Sequence, residues 1–461
     1  GESEVCNDGA DNDCDGTTNS CVWPATLDMI DYHVVYGGRS HTGLGFSGGS
    51  GDLDGDGQDE VLMGTPSWYD SSADAWEGRI FAWNPSSVAP SLTNASAVYT
   101  SRQDAIANYI DVGDLNGDGY DDLLAGAYGI DIEDGAEDVG GGWVALGPLT
   151  TQELSTATAW RLVGQSEDGR VGRAVHVLDD IDGDGLRDFA LASEDESSVA
   201  TKQGAVFLLT HLDTGEDDLF DVAQAIITGE GDYDYFGAEV ASPDLDGDGF
   251  HDIAAGELTG AHRASGVRIF YGPVSGIHLA SDADHTIYGD GGTGESLDSL
   301  GDANGDGYED FVVTSPYSST ISGYGSVYIH FGSASFATTS VDDAEIKIRG
   351  ERTDDWFGYF VRDLGDVNQD GIADLGITSA STSSDLSAAY LFWGPFSASA
   401  TLGSLSDADV VMEGDGLTDE HLRFITSADY NADTVPDVIV GSYLAGDTNE
   451  GATYFISGVG F

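Results

Sequence analysis

Asp244-Leu245-Asp246-Gly247-Asp248-Gly249-Phe250-His251-Asp252 sets acids at positions 1, 3, 5 and 9 of a nine-residue phrase, with glycine at position 6. The phrase, Asp-x-Asp/Asn-x-Asp-Gly-x-x-Asp/Glu, starts again at Asp52, Asp114, Asp180, Asp302 and Asp366, and a weaker copy begins at Asp429. Successive starts lie 62, 66, 64, 58, 64 and 63 residues apart. Unrelated loops do not keep such a period, so the 461-residue chain reads as seven copies of one unit.

Each copy sits in the same frame. An aromatic-glycine or similar pair opens an apolar run, as at Phe236-Gly237 and Phe357-Gly358. After the acidic phrase comes a short apolar segment ending in small residues, such as Val61-Leu62-Met63-Gly64-Thr65-Pro66 or Leu123-Leu124-Ala125-Gly126-Ala127. A glycine-led alternating run follows, for instance Gly266-Val267-Arg268-Ile269-Phe270-Tyr271-Gly272. A fourth apolar segment such as Ala225-Ile226-Ile227-Thr228-Gly229 closes the unit. Short apolar or alternating runs bounded by Gly, Asp or Ser are strand signals, and no helical period is sustained. The 65 glycines supply the many turns this needs. Four strands repeated seven times predict an all-β chain, a seven-bladed β-propeller of four-stranded antiparallel blades. A sandwich has no need of this period, and a solenoid would need distinct end caps.

The ends predict how the ring closes. The last unit stops after its third strand, Ala452-Thr453-Tyr454-Phe455-Ile456-Ser457, while an orphan apolar run spans residues 29–38, ahead of the first unit. Pairing the two closes the seventh blade as a 3+1 latch and removes two open sheet edges. The expected domains are a Cys- and Asp-rich segment over residues 1–24 and the propeller over 25–461.

Phe-Gly, the acidic loop and a Gly-Ala/Ser-Pro/Tyr element, in fixed order across almost the whole chain, resemble FG-GAP repeats, the units of the integrin alpha-subunit propeller. The third unit departs by reading Val171-Gly172, and the seventh by carrying Thr434 where the loop glycine belongs. The resemblance implies cation-binding loops at hairpin tips on one face and partner binding on the opposite face.

The acidic phrase has its own chemistry. Calcium takes six to eight oxygens at about 2.3–2.6 Å, and alternate positions 1, 3 and 5 turn side-chain oxygens to one side of a tight loop. Position 7 adds a main-chain carbonyl, and glycine at position 6 permits the sharp turn. An EF-hand would place Glu at position 12, but that position is apolar in all seven copies, from Met63 to Val440, and the fourth acid stands at position 9. The expected ligands are Asp52, Asp54, Asp56, Gln58 and Glu60; Asp114, Asn116, Asp118, Tyr120 and Asp122; Asp180, Asp182, Asp184, Leu186 and Asp188; Asp244, Asp246, Asp248, Phe250 and Asp252. The series continues with Asp302, Asn304, Asp306, Tyr308 and Asp310; Asp366, Asn368, Asp370, Ile372 and Asp374; Asp429, Asn431, Asp433, Val435 and Asp437. Positions 1, 3, 5 and 9 together hold 24 carboxylates, which repel one another unless a cation intervenes. Magnesium is disfavoured because it dehydrates reluctantly and rarely takes an all-protein cage. The bland alternative is that Asp-Gly clusters only form turns.

Ahead of the repeats, Asp11, Asp13, Asp15 and Thr17 occupy positions 1, 3, 5 and 7 of an eighth such loop, inside a stretch holding all three cysteines, Cys6, Cys14 and Cys21. This stretch resembles short Cys- and Asp-rich metal-binding repeats of exported myxobacterial proteins. It reads either as an eighth calcium site or as a flexible acidic leader, with a local disulfide of unknown connectivity and one cysteine left over. Calcium is therefore the expected cofactor, seven ions or eight.

Fifteen Lys and Arg against 83 Asp and Glu leave a net charge of −68, which repels nucleic acid and anionic membranes. No apolar run is long enough to span a bilayer, and the opening Gly1-Glu2-Ser3-Glu4 suits a mature secreted chain, extracellular or on the cell surface. No metalloprotease, nucleophile-elbow, phosphate-loop or dinucleotide motif is found, so the expectation is a non-enzyme. Aromatics Trp68, Tyr69, Trp76, Tyr128, Tyr317, Trp356 and Tyr443 fall in or beside loops of the face opposite the acidic phrases, where they suit a protein or glycan ligand or simply pack between blades. The leading expectation is an adhesion or recognition module of the cell envelope. The alternatives are a structural subunit of an extracellular polymer or filament, self-assembling through the N-terminal segment, and a secreted polysaccharide-active enzyme.

Overall fold

In the computed structural model the chain is described from residue 26 to 458, apart from 29–32, 39–41, 71–74, 86–89, 102–105, 133–135, 150–151, 155–158, 199, 259–264, 319–323, 338–339, 352–355, 381–386, 398–402, 415–421 and 446–449. Each apolar run of a unit becomes a strand, and the strands of one unit pair antiparallel in sequence order. The third unit shows the plan: Ala174–Leu178, Asp188–Ser193, Ala205–Leu209 and Ala225–Thr228 form one blade. Its two middle strands are buried at every residue, because a blade is sandwiched between two others and has no solvent face. Seven such four-stranded sheets make the propeller, and the innermost strand of each runs toward its acidic loop.

The core lies between blades. Seven apolar clusters are found among the described residues, one at each junction of neighbouring blades. The cluster joining blades seven and one includes Val35, Leu44, Val61, Phe81, Trp83, Phe424 and Phe455.

The Phe-Gly element has a physical cause. Phe236 and Phe357 are fully buried, and each forms a parallel bridge to the glycine that opens the third strand of the preceding blade, Gly204 and Gly325. A Cβ on Gly204 would come 1.9 Å from the Phe236 carbonyl oxygen, and one on Gly325 2.2 Å from that of Phe357. Leu44 on Gly451 and Val171 on Gly140 repeat the contact, so the aromatic is replaceable, and each of these four bridges has glycine on the other side.

Two features exceed the sequence reading. Four sheets carry a fifth, parallel outer strand: Gln152–Glu153, Gly215–Asp218, Gly276–Leu279 and Thr26–Asp28. The first three come from the link between the third and fourth strands of the next blade. One turn of α-helix, Leu219–Val222, and 3-10 turns at Ala280–Asp282, Val341–Asp343 and Leu405–Asp407 also interrupt the β architecture. Of the run expected over residues 29–38, His33–Tyr36 is a strand, antiparallel to Ala452–Ile456 in the seventh sheet. Val35 is its buried side chain, whereas Tyr36 is exposed.

Candidate metal centres

Each inner strand delivers the chain into the same turn. In the first loop Asp52 Oδ1 accepts the N–H groups of Gly55 (2.7 Å) and Asp56 (3.0 Å), and its Oδ2 that of Gly57 (2.8 Å). Asp54 accepts from Asp56 N–H at 3.2 Å and Asp56 from Gln58 N–H at 3.0 Å. Asp114, Asp180 and Asp244 repeat the three bonds of Asp52. Asp302, Asp366 and Asp429 keep two of them. The seventh loop therefore adopts the common turn despite Thr434, whose N–H reaches Asp429 at 2.7 Å. It does so with φ at +72°, where the corresponding glycines lie between +86° and +94°, a left-handed conformation that costs a β-branched residue.

In three loops the carboxylate oxygens converge within 4.8 Å of one another: Asp52, Asp54 and Glu60; Asp180, Asp182 and Asp188; Asp244, Asp246 and Asp248. In the other four, position 3 is Asn116, Asn304, Asn368 or Asn431. The last three donate through Nδ2 to the acid at position 9, at 3.2, 3.3 and 3.4 Å, and would have to turn over to offer a ligand oxygen.

The acids at position 9 lie buried beneath the loops. One oxygen ties the loop down, as Glu60 Oε2 does for Leu53 N–H (2.8 Å) and Asp252 Oδ2 for Leu245 N–H (3.0 Å). In five blades the other oxygen accepts the N–H of the residue two past the third strand, for example Gly272 at 2.9 Å from Asp252 Oδ1. Burial pushes these carboxyls up, to about 6 for Asp122, about 7 for Asp188, Asp252, Asp310, Asp374 and Asp437, and about 8 for Glu60, with the neighbouring loop acids adding to the effect. Glu60 Oε1, Asp188 Oδ1 and Asp437 Oδ2 are buried acceptors with no donor among the described residues. Orphaned acceptors inside a cluster of hard anionic oxygens suit a hard divalent cation, which would satisfy them and offset the repulsion. Positions 1, 3, 5 and 9 and the carbonyl of position 7 would hold it.

Two loop positions were invisible as such in the sequence phrase. Position 4 is glycine in the first five loops, with φ from +71° to +82°, and Gln369 and Ala432 hold the same conformation at +60° and +62°. The next blade's position-7 side chain also lies over this glycine. A Cβ on Gly55 would meet the Tyr120 ring at 2.2 Å, and Leu186, Phe250 and Tyr308 stand likewise over Gly117, Gly183 and Gly247. Position 8 links loops as well: Asp121 accepts the N–H of Asp52 at 2.8 Å, and Glu309 that of Asp244 at 3.0 Å.

Asp11, Asp13, Asp15, Thr17 and the three cysteines lie outside the described residues, as do the side chains of Tyr69 and Trp76. Of the opposite-face aromatics, Trp68 packs edge-on to Phe81 beneath Arg79, and Tyr443 edge-on to Phe46. Tyr317 meets Trp356 at 5.3 Å, and Trp356 stacks on Tyr359. They form contacts with one another as well as surface, and Tyr317 is exposed.

The molecule is a seven-bladed propeller with acidic hairpin-tip loops on one face. Residues 44–83 and 293–330, in the first and fifth blades, match the FG-GAP repeat. The sequence is similar to integrin alpha subunits: 31% identical over 166 residues to integrin alpha-6 of Gallus gallus and 34% over 159 to integrin alpha-PS2 of Drosophila melanogaster. It is 27% identical over 238 residues to integrin alpha pat-2 of Caenorhabditis elegans. These alignments cover 34%, 32% and 49% of this chain, and only 14%, 10% and 19% of the respective relatives.

Proposed function

We propose that the chain is a non-enzymatic, extracellular recognition module in which calcium in the seven loops stiffens one face while the opposite face holds a partner. The observation that carries this reading is the sevenfold repetition of one acid-lined turn, with buried acceptors left open beneath three of its copies. Similarity to integrin alpha subunits makes adhesion the first function to test and a protein the first ligand class. Calcium suits the loops better than magnesium because the cages are entirely protein and carry many carboxylates. The N-terminal strand serves as the latch of the ring, and residues 1–24 form a separate segment with an eighth loop. No helix among the described residues is long and apolar enough to cross a membrane.

Two measurements test the proposal. Metal analysis of the full chain purified without chelator should return about seven calcium ions, and excess EGTA should lower the melting temperature. Two or fewer ions with an unchanged melt would remove the calcium reading. Immobilised protein ligands and glycans should then retain the calcium-loaded chain, and Tyr317→Ala should weaken retention. Turnover of a retained polysaccharide would replace recognition with catalysis.

A further inference from the structure

Every blade contributes its inner strand to the axis of the ring, and there the side chains enclose a cavity of about 190 Å³. It opens opposite the acidic loops, because its mouth is lined by residues at the start of the inner strands. Deeper along the axis, charges pair across the ring. Arg362 of the sixth blade reaches Asp111 of the second at 3.1 Å and Asp298 of the fifth at 4.0 Å, and His176 bonds to Glu239 beside them. The cavity is a well with these pairs among its lining.

At the mouth two opposite charges, Arg423 and Glu295, attract each other through space, yet neither makes a direct ion pair within 4.0 Å among the described residues. Arg423 is clamped by the hydroxyls of Tyr109 (2.6 Å) and Tyr359 (3.2 Å), with its guanidinium 4.1 Å from the centre of the Phe46 ring. No carboxylate among the described residues lies within 4.0 Å of it, although acids outnumber Lys and Arg 83 to 15 in this chain. Glu295, from the fifth blade, makes no side-chain hydrogen bond or ion pair among the described residues. The other mouth arginine, Arg173, is taken by Glu194 at 2.7 Å and Asp195 at 3.0 Å. Burial, then the charge of Glu194, pushes the Glu295 carboxyl up to about 7, and the charges of Arg423 and Arg173, acting without direct contact, offset this only in part.

We propose that the well binds a small zwitterion of the α-amino-acid class, its carboxylate on Arg423 and its ammonium on Glu295. A guanidinium offers a carboxylate two parallel donors, and a desolvated carboxylate paired with an ammonium gains most where water is excluded. Tyr359 and Phe46 give the ammonium and an apolar side chain aromatic surface. A zwitterion also escapes the long-range repulsion that a chain of charge −68 exerts on free anions. The small volume favours a compact ligand over a longer one.

The test is isothermal titration of the full calcium-loaded chain with each standard free L-amino acid, and with propionate and ethylamine as ligands bearing one pole. At least one amino acid should bind one-to-one, with either one-pole ligand weaker by about tenfold or more. Arg423→Gln and Glu295→Gln should each weaken binding by about the same factor. Glu295 makes no direct side-chain hydrogen bond or ion pair among the described residues, so its variant should melt close to the parent and remain interpretable if Arg423→Gln does not fold. Absence of heat with every amino acid would show that the well holds only water. Equal binding of propionate, or unchanged affinity in Glu295→Gln, would likewise overturn the assignment.

Discussion

Replacing Asp244 by alanine separates the two roles a loop carboxylate could have. If it only fastens a turn, the variant releases the N–H groups of Gly247, Asp248 and Gly249, held at 2.9, 3.2 and 3.1 Å. These lie at an exposed tip where water takes over as acceptor, so each bond contributes about 1 kcal/mol net and the loss is about 2–3 kcal/mol. If the loop also holds calcium, the variant loses the ion's linkage contribution too, about 2.7 kcal/mol at a free concentration near one hundred times Kd. For 461 residues, an unfolding entropy of about 2.1 cal/mol/K per residue makes ~1 kcal/mol equivalent to ~1 °C. The expected thermal melts are therefore lower by about 2–3 °C in EGTA and by about 5 °C in saturating calcium. Calcium titration should count one site fewer. Asp244→Asn keeps an oxygen for Gly247 and Asp248, so it should lose most of the calcium increment and less of the remainder. The same fall in both buffers would refute the metal reading and leave the loop as a turn.

Thr434→Gly should stabilise the seventh blade by up to about 1 kcal/mol, the left-handed strain relieved less the entropy glycine adds to the unfolded chain; a lower melt would refute it. A chain lacking residues 1–38 loses the strand His33–Tyr36 from Ala452–Ile456 and should form oligomers by light scattering, reversed by a peptide of residues 27–38. A monomer with an unchanged melt would show that the latch is dispensable. His330 is fully buried against Phe311, and burial, then the charge of Lys347, lowers it to about 3. Because its folded value lies below the ordinary value near 6.5, its contribution is complete above pH ~6.5 and falls by about 1.4 kcal/mol per pH unit below that, until ~3. His330→Leu should flatten that slope in melts between pH 6.5 and 5, and an unaltered slope would show that His330 titrates normally.

The propeller was legible because the sequence repeats and because each strand is buried on a predictable face. Buried second strands such as Asp188–Ser193 read as short apolar runs bounded by the acidic loop. The fifth strands were not legible, since Gly215–Asp218 and Gly276–Leu279 are polar or exposed, short, and held only by a parallel neighbour. The acidic and amide positions 1, 3, 5 and 9 of the loops could be read from spacing. The packing of Tyr120 over Gly55 could not, because those residues stand 65 apart, although glycine at position 4 in five copies was a signal for a second left-handed turn. Arg423 was missed for the same reason: its tyrosines come from blades two and six, and only closing the ring brings Tyr109 to it.

The overlap of each position-7 side chain with the glycine of the preceding loop bears on how such a ring could arise by duplication. A copied unit brings its own glycine but needs a neighbour's large residue to cover it, so the smallest heritable piece runs from one loop through the next. The matching holds from Gly55 to Tyr308, across the first five blades, and stops at Gly305, which nothing covers. From there Gln369 and Ala432 stand in place of the glycine, so the sixth and seventh loops are built without this cover.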